Sequence, residues 1–201
     1  MDDKKKQIVL AARNVFLSQG FASTSMEDVA RVAGMGKASI YHYFSSKEEL
    51  FNEIITVEIE EMETEMLAEL KKHKTAEEKI HAFLTTKFFR IRNRYHQMES
   101  KLNLWKELGE QYHHVMMRFG QKEAEIIASI FVSGMTTGEF RQVDPLKLSA
   151  MMMTYFWGMQ YSVYRQSCID GFTKPDLDVA EANSQFFATI MLTGIIQNKK
   201  Q

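Results

Sequence analysis

The run Ser25 to Tyr43, SMEDVARVAGMGKASIYHY, has the spacing of a helix, a tight glycine turn and a second helix. In such a unit the small and apolar positions must seat one short helix across another at roughly 90–120°. Val29 and Ala33 give the first helix an apolar stripe, and Ala30 is small enough to let the second helix approach. Gly34 falls where the chain must turn, a place where a positive φ costs glycine nothing. Met35, Ile40 and Phe44 then return to the core. Ser25 with Asp28 makes a capping box, and Thr24 with Glu27 offers the same chemistry one residue earlier, so the start of the helix is open by one position. With Ile40 and Phe44 inward, helical geometry turns Lys37, Ser39, Tyr41 and His42 outward, with Ala38 and Tyr43 at the margins. That outward face is the one expected to meet DNA.

Glycines followed by a lysine, in GMGKAS, also bring a phosphate loop to mind. The spacing excludes it: G-x-x-x-x-G-K-[ST] would need glycine where Arg31 stands and a hydroxyl where Ala38 stands.

Three segments together identify a family resemblance: the first helix ending LSQGF, the run TSMEDVARVAGMGKASIYHYF, and the following SSKEEL. Residues 1–50 resemble the DNA-binding domain of the TetR family of transcriptional repressors. The resemblance implies an all-α fold in which an N-terminal three-helix helix-turn-helix domain, residues 1–50, is joined by a long helix to a helical ligand-binding and dimerisation domain, residues 51–201. It also implies that Lys47 contacts the DNA backbone, which agrees with the free N–H groups and positive dipole of a helix N-terminus.

The rest of the chain is consistent with this. At 201 residues and 45% hydrophobic content there is ample material for a core, and two prolines with ten glycines leave little punctuation for an all-β fold. The net charge of −1 means that any DNA affinity must come from a local patch. A single cysteine, Cys168, allows no intrachain disulfide and suits the cytoplasm. No signal peptide and no apolar run of about 18 residues is found, so neither export nor a membrane span is expected.

A first helix over about 4–19 buries Ile8, Ala11, Ala12, Val15 and Phe16, and Gly20 ends it before Phe21 folds back. Lys4, Lys5 and Lys6 form a basic lead-in. Ser46 with Glu49 opens a long helix to about Lys72, with Leu50, Phe51, Ile54, Ile55, Met62, Met66 and Leu70 inward. Its other face, Glu58, Glu60, Glu61, Glu63, Glu65 and Glu69, is acidic and reads as solvated. Further helices are expected at about 76–95, 99–108, 111–137, 145–170 and 178–198. Asp144 caps the fourth of these before Pro145, and Pro175 introduces the last, with Asp178 and Glu181 as its box.

The helix at 145–170 is apolar on two faces, one with Leu148, Met152, Tyr155, Phe156 and Met159, the other with Met153, Trp157, Tyr161 and Tyr164. A helix apolar nearly all round needs cover on both sides. With the helix at 178–198, carrying Phe186, Phe187, Ile190, Met191 and Ile195, it is expected to pair with its symmetry mate in a homodimer, as the resemblance also implies. A two-fold dimer places two reading helices about one DNA turn apart on a near-palindromic site.

For a small-molecule effector, the candidate residues are Phe83, Thr86, Phe89, Trp105 and Tyr112, with Met116, Phe119, Met152, Tyr155 and Phe156. Apolar and aromatic lining suits a pocket, and methionine adapts to varied shapes, although the same stripes serve a plain core. Lys87, Arg90, Arg92, Arg94 and Lys101 form a basic zone that would suit an acidic ligand or simply face solvent. His113 and His114 are adjacent, about 100° apart on a helix, so they make no metal pair, and no nucleophile motif or cofactor loop is found. The expectation is therefore a DNA-binding transcriptional regulator, a repressor released from a palindromic operator by a small-molecule ligand and not an enzyme, with neither metal nor cofactor. Bases and backbone are assigned to Lys37, Ala38, Ser39, Tyr41, His42 and Tyr43, and phosphate register to Thr24, Ser25 and Lys47. The partners are double-stranded operator DNA, a small-molecule effector and a second copy of the chain. A ligand-independent architectural DNA-binding protein is the alternative.

Overall fold

The structure is a computed structural model that describes residues 2–98, 102–169 and 176–197. Among the described residues the chain forms eight helices: α1 (Asp3–Gln19), α2 (Met26–Ala33), α3 (Lys37–Tyr43), α4 (Lys47–Leu70), α5 (Ala76–Met98), α6 (Leu102–Thr136), α7 (Pro145–Ile169) and α8 (Leu177–Thr193). Two compact units emerge: Met1–Met62 with Tyr95–Arg118, and Glu63–Arg94 with Phe119–Gln201. The boundary between the units falls inside α4, after Met62.

In the first unit, α1 buries Ile8, Ala11, Ala12, Val15 and Phe16, the apolar spacing expected of it, together with Val9. Phe16, Phe21 and Phe51 meet as a cluster of tilted and edge-on rings, with centroids 5.2 Å apart for Phe16–Phe21 and for Phe21–Phe51. The Gln7 amide donates to the Ala33 carbonyl at 2.8 Å, so a side chain of α1 satisfies the end of α2. The seven inward positions of α4 read from the sequence are all buried. Its start differs in detail. Ser46 Oγ accepts from the Glu49 amide at 3.1 Å, but the Glu49 carboxylate reaches the amide and hydroxyl of Ser45, at 2.7 and 2.6 Å, in place of the Ser46 amide.

In the second unit the core gathers Met66, Leu70, Ile80, Phe83, Leu84, Ile127, Phe131, Phe140, Met152, Phe156 and Leu192. The start of α5 is fully supplied with acceptors. The Glu139 carboxylate accepts from the amides of Ala76 and Glu77 at 2.7 and 2.8 Å, and Thr75 with Glu78 forms a capping box. A short antiparallel bridge, Phe140 to Ile196, ties the α6–α7 connection to the segment after α8.

Four expectations need correction. The helices foreseen at 99–108 and 111–137 are one helix, α6, because the cost of about 1 kcal/mol for Gly109 inside a helix does not break it. Helix α8 ends at Thr193, short of 198, where Gly194 and the bridge at Ile196 stop it. Its cap is Asp176, which accepts from the Val179 amide, in place of an Asp178–Glu181 box; Pro175 lies outside the described residues. The acidic face of α4 is not simply solvated: Glu58 and Glu61 hold Arg13, Glu63 holds Lys122 at 2.9 Å, Glu65 holds Arg90 and Glu69 holds Lys72.

Two glycines separate backbone need from space. Gly34 has φ 65° and nothing within 4 Å of an added Cβ, so its cost is purely conformational. In helix α6 an added Cβ at Gly134 would lie 2.3 Å from the Phe140 ring. Gly34→Ala is expected to cost about 1–2 kcal/mol through left-handed strain, with Gly34→Asn costing less. Gly134→Ala is expected to cost about 1–3 kcal/mol by overpacking despite the better helix propensity of alanine. Urea unfolding followed by circular dichroism measures both.

Candidate nucleic-acid interface

Helix α3 is positioned by the end of α2. The Met35 amide donates to the Ala30 carbonyl at 2.9 Å and the Gly34 amide to the Arg31 carbonyl at 3.2 Å, the paired bonds of a Schellman turn with Gly34 left-handed. At the other end of α2 the open choice of cap is resolved. Ser25 accepts from the Asp28 amide while Asp28 accepts from the Ser25 amide, a complete box. Thr24 is 3% exposed and its hydroxyl donates to the Gly20 carbonyl at 2.6 Å.

Ile40 is 0% and Phe44 1% exposed, which fixes the rotation of α3. Lys37, Ala38, Ser39, Tyr41 and His42 are exposed together on its other side, and Met35 and Tyr43 are half-buried. Two of these side chains already hold carboxylates. The Tyr43 hydroxyl donates to Asp2 at 2.9 Å, which pushes its phenol up from the ordinary value. Lys37 forms an ion pair with Glu27 of α2 and lies 5.8 Å over the Tyr41 ring. The hydrogen bond with Lys37 holds the Glu27 carboxyl below its usual range and raises the Lys37 ammonium. Sequence reading missed both partners. Glu27 was weighed only as a cap for Thr24, and its proximity to Lys37 depends on the turn at Gly34, not on periodicity.

Lys47 is turned inward as well as outward. Its ammonium donates to the carbonyls of Phe21 at 2.7 Å, Thr24 at 3.0 Å and Ala22 at 3.4 Å, and stands 4.4 Å from the Phe21 ring centroid. Three acceptors use its three N–H bonds. Thr24 and Lys47 therefore serve first as supports of the loop before α2.

The described effector candidates differ in their surroundings. Phe83, Met152 and Phe156 sit in the packed core of the second unit. Tyr155 is half-buried and stacks on Phe187 at 3.8 Å, Thr86 and Phe119 are half-buried, and Phe89 is 58% exposed. The side chains of Trp105, Tyr112 and Met116 lie outside the described residues, as do those of Arg94, Lys101 and His113. The basic zone on α5 is matched by carboxylates: buried Lys87 meets both oxygens of buried Glu123 at 2.6 Å, and Arg92 reaches Asp178 and Glu181 at 2.6 Å.

A short helix that follows its predecessor through a glycine turn, with Ile40 buried in it, Phe44 buried at its end and polar residues outward, is the helix-turn-helix arrangement of a DNA-binding protein. The family of bacterial regulatory proteins, tetR family, matches residues 8–54. The uncharacterised HTH-type transcriptional regulator YhgD of Bacillus subtilis (strain 168) is 31% identical over 154 residues, covering 75% of this chain and 78% of that protein. YfiR of the same organism, likewise an uncharacterised HTH-type transcriptional regulator, is 25% identical over 196 residues, covering 94% and 93%. A solved transcriptional regulator from Cytophaga hutchinsonii ATCC 33406 superposes with TM-score 0.76 at 26% identity, over 98% of this chain and 100% of that one. The chain belongs to the TetR family of bacterial regulatory proteins. It is a DNA-binding transcriptional regulator, and its relatives are regulators, not enzymes.

The capping box makes the interface pH-sensitive in one direction. The Ser25 hydroxyl and amide hold Asp28 below its ordinary 3.8, so the stabilisation is fully present above about pH 4 and is lost as pH falls through the lowered folded value. Asp28→Asn is expected to remove this acid-side dependence and leave the neutral-side profile flat. Unfolding midpoints of wild type and variant across that range measure it.

Proposed function

We propose that the protein is a cytoplasmic repressor that binds a near-palindromic operator as a homodimer and is released from it by a small molecule. The observation that carries this reading is the division of α3, with Ile40 and Phe44 sealed inside while Lys37, Ala38, Ser39, Tyr41 and His42 face outward. In this reading residues 1–50 form the reading domain and residues 51–201 hold effector and partner. Lys37, Ser39, Tyr41 and His42 reach base edges and phosphates, Ala38 leaves room for the groove wall, and Tyr43 and Ser25 bond phosphates at the margins. Lys47 reaches a phosphate by releasing one of its carbonyls, and Thr24 sets register from inside the loop.

The dimer face we propose uses the outward residues of α7 and α8. On α7, Met153 is buried and Trp157 is half-buried, whereas the outward stripe is Met151, Thr154, Gly158 and Tyr161. On α8 it is Val179, Phe186 and Ile190, with Phe187 and Ala188 turned inward. Phe186 is 68% and Tyr161 69% exposed, large apolar surface that a second copy would cover. No helix among the described residues is long and apolar enough to cross a membrane.

For the effector, Phe83, Met152 and Phe156 contribute as core walls, and Thr86, Phe89, Phe119 and Tyr155 are the described candidates with surface to offer. Ligand binding would shift α4, which begins in one unit and ends in the other, and so change the separation of the two reading helices. The coupling between ligand and DNA is then reciprocal.

Selection of duplexes from a random pool by the purified protein, with Tyr41→Ala as control, tests the reading. An inverted repeat that fades in the control supports it, and sequence-blind binding by wild type favours the architectural alternative. Phe186→Glu is expected to give a monomer by sedimentation and to weaken binding to the full repeat at least tenfold while leaving binding to an isolated half-site unchanged. A dimer that survives this substitution refutes the assigned face.

A further inference from the structure

We infer that Glu27 is a specificity-determining residue: its carboxylate holds the Lys37 ammonium in a neutral couple that declines phosphates and reads one G·C base pair in each half-site. The inference rests on the DNA-binding reading of α3.

Glu27 is the second residue of α2 and Lys37 the first of α3, so the Gly34 turn brings them together. Their head groups form a direct ion pair while 53% and 59% of the two side chains stays exposed. The ammonium is thus pinned from two sides, by the Glu27 carboxylate and by the Tyr41 ring at 5.8 Å. Arg31, the nearest other cation of α2, is engaged by Asp28 and does not compete for Glu27. So exposed a pair adds little to folding stability, and its removal leaves the unit folded.

The consequence for DNA is electrostatic first. A lysine that neutralises a phosphate releases a counterion and adds about 0.9 to the slope of log affinity against log salt. Lysine already neutralised by a touching carboxylate brings no net charge to the backbone. Glu27 therefore subtracts from sequence-blind binding.

At a base edge the same couple becomes complementary. In the major groove, G offers N7 and O6 as adjacent acceptors and its partner C offers the N4 donor beside them. An ammonium touching a carboxylate presents donors beside an acceptor, the matching order. On A·T the single donor lies between two acceptors, so the carboxylate on the adenine N6 donor is pressed against the thymine O4.

The test uses the full-length protein with Glu27→Gln, Glu27→Asp, Lys37→Met and the Glu27→Gln/Lys37→Met double variant. Affinities for selected and random duplexes are read at several salt concentrations. Glu27→Gln should steepen the salt slope on random DNA by about 0.9 per protomer, an extra loss of roughly 3.5-fold between about 50 and 200 mM salt. Its preference for G·C at one half-site position, about 5- to 150-fold in wild type, should collapse. Glu27→Asp, with the charge kept but one methylene shorter, should keep the wild-type slope and lose part of the preference. In the Lys37→Met background Glu27→Gln should change neither. The inference is overturned if Glu27→Gln leaves slope and preference unchanged, or if its effect persists without Lys37, since that would be general repulsion by an acidic residue. Wild type that selects no sequence at all overturns the sequence-reading role given to α3, a result visible before any substitution is made.

Discussion

A helix of seven residues cannot sustain itself in water, where roughly 12–15 are needed, and the reading helix α3 has seven. Everything it presents to a partner is therefore borrowed from its surroundings. The Schellman turn at Gly34 sets its start, and Ile40 and Phe44 set its rotation. Behind them stand the Phe16, Phe21 and Phe51 rings, which join α1 to α4. Lys47 secures the loop before α2 through the carbonyls of Phe21 and Thr24. A cavity made at any of these positions would loosen α3 before it unfolded the chain, so core residues here act on recognition at one remove.

The second constraint is charge. With a net charge of −1, the chain has no general field to draw it to DNA, and the donors around α3 already hold acceptors: Asp2 on Tyr43, Glu27 on Lys37, backbone carbonyls on Lys47. Binding DNA is then an exchange of partners. An exchange of exposed bonds is nearly neutral unless the new geometry is better than the old, so a correct base sequence gains what an arbitrary one does not. In the proposed reading, low sequence-blind affinity and selectivity would share this one origin.

What could be read from the sequence was whatever depends on local spacing. The Ser25–Asp28 box, the left-handed Gly34, the stripe of α1 and the seven inward positions of α4 are all of this kind. Contacts between residues distant in sequence were not legible. Arg13 to Glu58, Lys87 to Glu123 and Glu139 at the start of α5 join positions whose separation carries no period. Nor did the sequence say which side of α7 the protomer itself covers, because that helix is apolar on two sides. The helices expected at 99–108 and 111–137 proved to be one, since a single glycine such as Gly109 is tolerated inside a helix as long as α6.

The electrostatics of the second unit narrow the chemistry of an effector. Along α5, Lys87 is buried against Glu123, Arg90 is held by Glu65, and Arg92 is shared by Asp178 and Glu181. An anionic ligand held by Lys87, Arg90 or Arg92 would have to strip that cation from its carboxylate. For the buried pair that exchange leaves Glu123 charged and unpartnered in a low-dielectric interior, which costs about 3–5 kcal/mol. An uncharged aromatic or aliphatic molecule meets no such penalty and finds Phe89 and the Tyr155–Phe187 stack within the same unit. Lys87, Arg90 and Arg92, which in the sequence would suit an acidic ligand or simply face solvent, are each held by a carboxylate.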